Sequence, residues 1–224
     1  MQEKISVYIA AALFNAREAH FNSCIVKALE RRGYKTNFPQ RDGFEFADLA
    51  ETLKETLSQE EIPTAVQEII YHFDMGFLLP RSDVILANLD EPIDEGVVTE
   101  ISYAQLMGKP VIGLRTDIRS PYGSLTDRFK GMHFFPALQC NEFVAYKMPT
   151  NSSLLSDSEN EFYSLANAIA QRISALMINP QETIPDYVSR NPNISKIIKR
   201  AEQLFGGIKN IHSKQGLETI ARRY

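Results

Sequence analysis

Five carboxylates fall within eleven residues of this chain: Asp90, Glu91, Asp94, Glu95 and Glu100. Acids packed this densely repel one another unless something binds to them. An ionised carboxylate aimed at a cleft is also a competent nucleophile toward an electrophilic carbon. Glu100 stands near the start of a predicted helix, Val97–Met107, where free N–H groups and the helix dipole favour the charged form. Asp94, six residues earlier, would orient Glu100 or hold a substrate hydroxyl. A lone acid at a helix start usually does no more than cap it. The crowding of acids here, and their place just past a strand, favour the chemical reading.

A second candidate acid is Asp74, in the run Ile69-Ile70-Tyr71-His72-Phe73-Asp74-Met75-Gly76-Phe77. Among those apolar neighbours a carboxyl loses water, and desolvation raises its pKa toward the range of a general acid. The same spacing also admits an Asp74 exposed on the polar face. Tyr8 and Asn15 flank the first strand–helix loop, where the usual outcomes are a core tyrosine and a helix cap. Gln40, Arg41 and Asp42 form a polar loop after the second strand that reaches the same cleft or remains a surface turn.

Alternating strands and helices must position these residues. Ile5–Ala10 is predicted as strand one, and a helix follows over Asn15–Arg32, capped by Asn15 with Glu18 and stopped by Gly33. Tyr34–Phe38 is strand two, Pro39–Gly43 a loop by its turn residues, and Phe46–Leu57 a weak helix. A longer helix begins near Pro63 and carries Val66, Ile69, Ile70, Phe73 and Phe77 at helical spacing. Val84–Leu89, Val111–Leu114 and Phe143–Tyr146 complete the strands, and Glu159–Ile178 is a last long helix. This succession predicts an α/β fold: a flavodoxin-like or Rossmann-like parallel five-stranded sheet with helices on both faces. In the order 2-1-3-4-5 the loops after strands one and three meet at the topological switch point, where such sheets bind ligands. Residues 1–178 are expected to form this domain. Residues 179–224 are expected to add a helical extension, with short helices at Ile194–Phe205 and Gly216–Tyr224.

Charge and composition exclude other classes. The extension holds eight Lys/Arg against four acids, so the remaining chain carries −8 of the net −4 total. An acidic body repels phosphates and argues against nucleic acid as a partner. The basic tail fits a solvated helical face, or one packed on the acidic body. No apolar run reaches the roughly 18 residues of a membrane span. The apolar stretch Ile5–Phe14 reads as a buried strand rather than a signal peptide. Cys24 and Cys140 form neither a disulfide framework nor a metal spacing, so a cytoplasmic location is expected. The first strand–helix turn has no glycine, no phosphate-binding GxxxxGK[ST] occurs, and the four histidines are scattered. These gaps argue against nicotinamide, P-loop and zinc enzymes.

Taken together, the segments resemble the nucleoside 2-deoxyribosyltransferase family. Tyr8-Ile9-Ala10-Ala11-Ala12-Leu13-Phe14-Asn15 is similar to its first-strand signature, and Pro39–Gly43 to its Pro-Gln-x-Asp-Gly loop. Asp74 precedes Ser82-Asp83-Val84 as an aspartate precedes the family's Ser-Asp-apolar strand. Asp94–Ala104 followed by Gly108–Val111 resembles the block that carries the nucleophile. The chain departs from the pattern at Ala11-Ala12 for Gly-Pro, Val97 for Thr and Ser102 for Gly, and no clear counterpart of an Asn-x-Met segment stands near Gly131–Phe135.

The resemblance implies that Glu100 takes the deoxyribosyl group as a covalent ester with net retention. Asp74 would protonate or hold the departing base, and Asp94 would orient sugar and nucleophile. Tyr8, Phe14, Asn15, Gln40 and Asp90 would line the site. The implied partners are a small-molecule deoxynucleoside and a free nucleobase, with no metal or organic cofactor, in a homo-oligomer. Two alternatives stay open: a deoxynucleoside 5′-monophosphate N-glycosidase, with Arg41, Arg115 or Arg119 holding phosphate, and a nucleoside- or nucleotide-binding module without chemistry.

Overall fold

A computed structural model describes residues 4–117, 119, 122–124, 126–148, 155–178 and 190–224. The chain divides into two compact units, Met1–Asn37 with Ser82–Pro185, and Phe38–Arg81 with Asp186–Tyr224.

The first unit is built on five parallel strands: β1 (Ser6–Ala10), β2 (Lys35–Asn37), β3 (Val84–Asn88), β4 (Val111–Arg115) and β5 (Glu142–Ala145). Their order is β2-β1-β3-β4-β5, the order predicted. Every residue of β1 and β4 is buried, as expected of central strands covered on both faces. In the register, Tyr8 faces Asn37 on one side and Ile85 on the other, and Ala10 faces Ala87. The crossovers β1-α1-β2 and β3-α5-β4 run in opposite directions along the sheet. Right-handed connection therefore puts α1 (Ala16–Arg31) and α5 (Glu95–Leu106) on opposite faces. A short α6 (Phe134–Ala137) lies between β4 and β5, and long α7 (Leu155–Ile178) returns to pack on α1, with Phe21 and Phe162 5.4 Å apart.

The caps are legible residue by residue. Asn15 accepts from the N–H groups of Arg17 and Glu18, while Glu18 turns back to Phe14 N–H at 2.9 Å. Gly33, just past the end of α1, holds φ at +91°, which a side chain would strain. Asn22 Nδ2 donates to Ala12 O at 2.9 Å and ties down the loop that lacks the family's Gly-Pro.

Among its described residues the second unit is built of helices. It contains α2 (Pro39–Asp42), α3 (Phe46–Leu53), α4 (Ile62–His72), α8 (Pro192–Phe205) and α9 (Lys214–Arg223). Two predictions need correction. Pro39–Gly43 is a helical turn rather than a loop, because Pro39 presets φ and Asp42 Oδ2 accepts from Phe38 N–H at 2.7 Å. The long helix from Ile62 is not uniform: it widens into a π-helical turn at Phe73–Leu78 and tightens to a 3₁₀ turn at Leu79–Arg81. Close packing accompanies the widening. A Cβ on Gly76 would stand 2.6 Å from Ala201 Cβ and 2.7 Å from Ile197 O, so α8 crosses this turn at a distance only glycine tolerates.

Phe205 fills the centre, 5.1 Å from Phe73 and 5.5 Å from Phe77. Tyr224 Oη donates to Glu68 at 2.6 Å, and Arg200 reaches the Tyr224 carbonyl. The basic extension thus shares a core with residues 46–81, which a composition break at 179 could not show. Among the described residues, no helix is long and apolar enough to cross a membrane.

Candidate active site

The shortest link between the predicted site residues joins Tyr8 to Glu100. Tyr8 is wholly buried in β1, and its Oη donates to Glu100 Oε1 at 2.6 Å. Central strand β1 lies under α5, so a tyrosine at position 8 spans from sheet to helix. Glu100 is half-buried there.

One physical expectation fails. Helix α5 starts at Glu95, two residues before the predicted start, because Asp94 takes the N-cap and its Oδ1 accepts from Val97 N–H at 2.9 Å. Glu100 is therefore in the second turn, past the free N–H groups and most of the dipole's reach. The Tyr8 phenol, rather than the helix terminus, donates to it. Asp94 accordingly fixes where the helix that bears Glu100 begins.

The loops after β1 and β3 emerge from paired strands, so the sheet places Phe14, Asn15 and the acidic run 90–95 at its carboxyl edge. Phe14 is 80% exposed, an apolar ring offered to solvent rather than to the core. Asn15 is the cap of α1. Asp90 is fully committed within the protein: Oδ1 accepts from the N–H groups of Thr116 (2.6 Å) and Asp117 (3.0 Å), and Oδ2 from Thr116 Oγ1 (2.5 Å). Asp117 answers from the β4 side, its Oδ2 accepting from Glu91 N–H at 3.0 Å. The sequence reading overlooked Thr116 and Asp117. Their signal was available: a polar pair directly past the carboxyl end of β4.

The three arginines considered for phosphate are all engaged with acids. Arg41 pairs with Asp42 at 2.7 Å. Arg119 pairs with Asp117 at 2.9 Å. Arg115 is buried, with its guanidinium 3.0 Å from Asp117 and donating to Gly131 O at 2.8 Å. Burial of Arg115 removes it from any solvent-borne ligand.

Gln40 and Asp74 belong to the helical unit. Gln40 is exposed on α2. Asp74 sits in the π-helical turn between buried Phe73 and Met75, and its carboxyl makes no hydrogen bond or ion pair among the described residues. Loss of water pushes its pKa from the ordinary 3.8 up to about 7. Of the two readings the sequence left open for Asp74, the structure places it among apolar neighbours rather than on an exposed face, and π-turns recur at functional positions.

The sequence of this chain matches a family model described as nucleoside 2-deoxyribosyltransferase over residues 7–178. No curated protein matches it. Among solved structures it is similar to a CMP N-glycosidase from Clostridium botulinum, with 16% identity, 73% of this chain and 98% of that chain covered, and a TM-score of 0.38. It is also similar to the sugar isomerase domain of an RpiR transcription factor from Sphaerobacter thermophilus. That likeness has 15% identity, coverage of 88% and 77%, and a TM-score of 0.37. Likenesses this distant carry no argument about chemistry. The family-model match covers most of the chain, residues 7–178, and the chain belongs to the nucleoside 2-deoxyribosyltransferase family.

Proposed function

We propose that the protein transfers a 2-deoxyribosyl group from a deoxynucleoside to a second nucleobase through an ester on Glu100. A Glu100 oxygen attacks C1′ while the C–N bond to the base breaks. The electron pair leaves with the base, which takes the proton of Asp74. A nitrogen of the incoming base then attacks C1′ from the face the first base left. The C–O bond breaks, Glu100 departs as carboxylate and Asp74 recovers a proton. Two displacements give net retention, as in two-carboxylate glycosidases. Asp94 fixes the start of the helix that presents Glu100. Gln40, Phe14 and Asn15 are proposed to contact substrate. The protein is proposed to act in the cytoplasm as a homo-oligomer, in keeping with the exposed Phe134, Phe135 and Leu138.

The observation that carries this reading is the 2.6 Å bond from buried Tyr8 to Glu100 at the mouth of the switch point. A phenol donating to a carboxylate holds it oriented and charged without neutralising it. The test is Glu100→Gln, which keeps an acceptor for Tyr8 but removes the nucleophile. Incubated with a deoxynucleoside and a second base, it is expected to form the swapped nucleoside about a thousandfold more slowly or not at all. Wild-type protein given donor alone is expected to gain the mass of one deoxyribosyl group. Full activity in the variant refutes the assignment, and free sugar without swapped nucleoside identifies water as the acceptor.

A further inference from the structure

Asp90 and Asp117 form a reciprocal pair. Each stands in the loop past one strand and each spends its carboxylate on backbone N–H groups of the other loop. Asp90, after β3, takes Thr116 N–H, Asp117 N–H and Thr116 Oγ1. Asp117, after β4, takes Glu91 N–H. The second acid is itself pinned from two sides, by buried Arg115 at 3.0 Å and by exposed Arg119 at 2.9 Å. A wholly buried guanidinium costs several kcal/mol of desolvation, and a buried pair is weak evidence for stability alone. Fixing one geometry is its best-attested use.

That geometry leads to the nucleophile. Four residues beyond Asp90 stands Asp94, whose side chain starts α5. Two hydrogen bonds hold the rest: Val97 N–H donates to Asp94, and Tyr8 Oη donates to Glu100. With β4 locked to the loop, the cap is fixed, and with the cap fixed the second turn of α5 meets Tyr8 at 2.6 Å. We propose that Asp90 and Asp117 are positioning residues, crossed clamps between the β3 and β4 loops that set the place of Glu100 and touch no substrate. The inference rests on Glu100 being the nucleophile. It gives Asp90 a role other than the site-lining one the resemblance implies, since both its oxygens already accept bonds from protein.

The test compares Asp90→Ala and Asp90→Asn in the full chain. Asparagine keeps Oδ1 for the two N–H groups, and Thr116 can turn its hydroxyl to accept from the amide. Asp90→Ala is expected to lower kcat about 10–100-fold with KM within about threefold, since a displacement near 1 Å at the reacting group costs about a hundredfold. Asp90→Asn is expected to recover to within about fivefold of wild type. Hydrogen exchange over residues 93–99 is expected to quicken about tenfold in Asp90→Ala while α1 stays unchanged. A purely stabilising role would lower Tm and leave kcat per folded molecule and the local exchange intact, and that result overturns the proposal. So does a loss confined to KM, which would make Asp90 a substrate ligand. If Asp90→Ala does not fold, Thr116→Val removes the hydroxyl bond alone and is read in the same two ways. Failure of the functional reading is seen separately: wild type without transfer, or Glu100→Gln with it, leaves the exchange experiment to decide the clamp.

Discussion

Replacing Asp74 with asparagine should make the protein more stable at pH 8 and leave its stability almost unchanged at pH 4. Asp74 holds a proton up to about pH 7 in the folded chain, whereas its ordinary value is 3.8. Between these values the folded state keeps a proton that the unfolded chain has already released. The unfolded state thus binds fewer protons, and stability must fall as pH rises through this window. From pH 5 to pH 8, a group moving from 3.8 to 7 removes about 2.5 kcal/mol. Asp74 keeps some contact with water, so screening reduces this to about 1–2 kcal/mol. Asparagine has a similar shape and no proton to lose, and its curve should lack the slope. Urea unfolding of both proteins at pH 4, 5, 6, 7 and 8 reads the difference directly. Parallel curves would refute the claim that Asp74 is desolvated. The same substitution should slow base release, because the proton donor is gone, and should remove the fall in wild-type rate above about pH 7. A variant that gains stability where it loses rate would mark the acid as selected for chemistry.

Tyr8→Phe deletes only the phenol oxygen above Glu100. A hydrogen bond to a charged group contributes about 1.5–3 kcal/mol, so kcat should fall about 10–100-fold in steady-state transfer assays. An unchanged rate would show that Glu100 does not depend on the phenol. Gly76→Ala drives a methyl into Ala201 and the Ile197 carbonyl at under 3 Å. Urea denaturation should report a loss of about 1–3 kcal/mol, as for overpacked cores.

The strand order, the cap at Asn15 and the central burial of β1 and β4 were legible because each rests on local rules. Apolar runs bounded by turns give strands, polar residues before helices give caps, and right-handed crossovers give order. Three features were not legible. The start of α5 was placed at Val97, because Glu95-Gly96 looks like loop by composition; only the side chain of Asp94 bonding to Val97 N–H reveals that the helix has begun. The π-turn at 73–78 has no spacing signal, and the close crossing of α8 at Gly76 that accompanies it comes from more than a hundred residues away in sequence. The bonds of Asp90 to Thr116 and Asp117 come from the next loop, and no spacing in the sequence shows them. Long-range partners decide such roles, and spacing does not contain them.

The acid and the packing around it are one construction. Phe73 and Met75 beside Asp74 are buried, and Phe73 is held by Phe205 of the basic extension at 5.1 Å. Residues that a composition break sets apart as a tail thus build the dry surroundings that keep Asp74 protonated. If Asp74 is the proton donor proposed above, the extension acts on the chemistry through the acid's surroundings. Loosening Phe205 would rehydrate the π-turn and return the carboxyl toward its ordinary pKa, costing the acid its proton at neutral pH before the sheet unit lost any of its order.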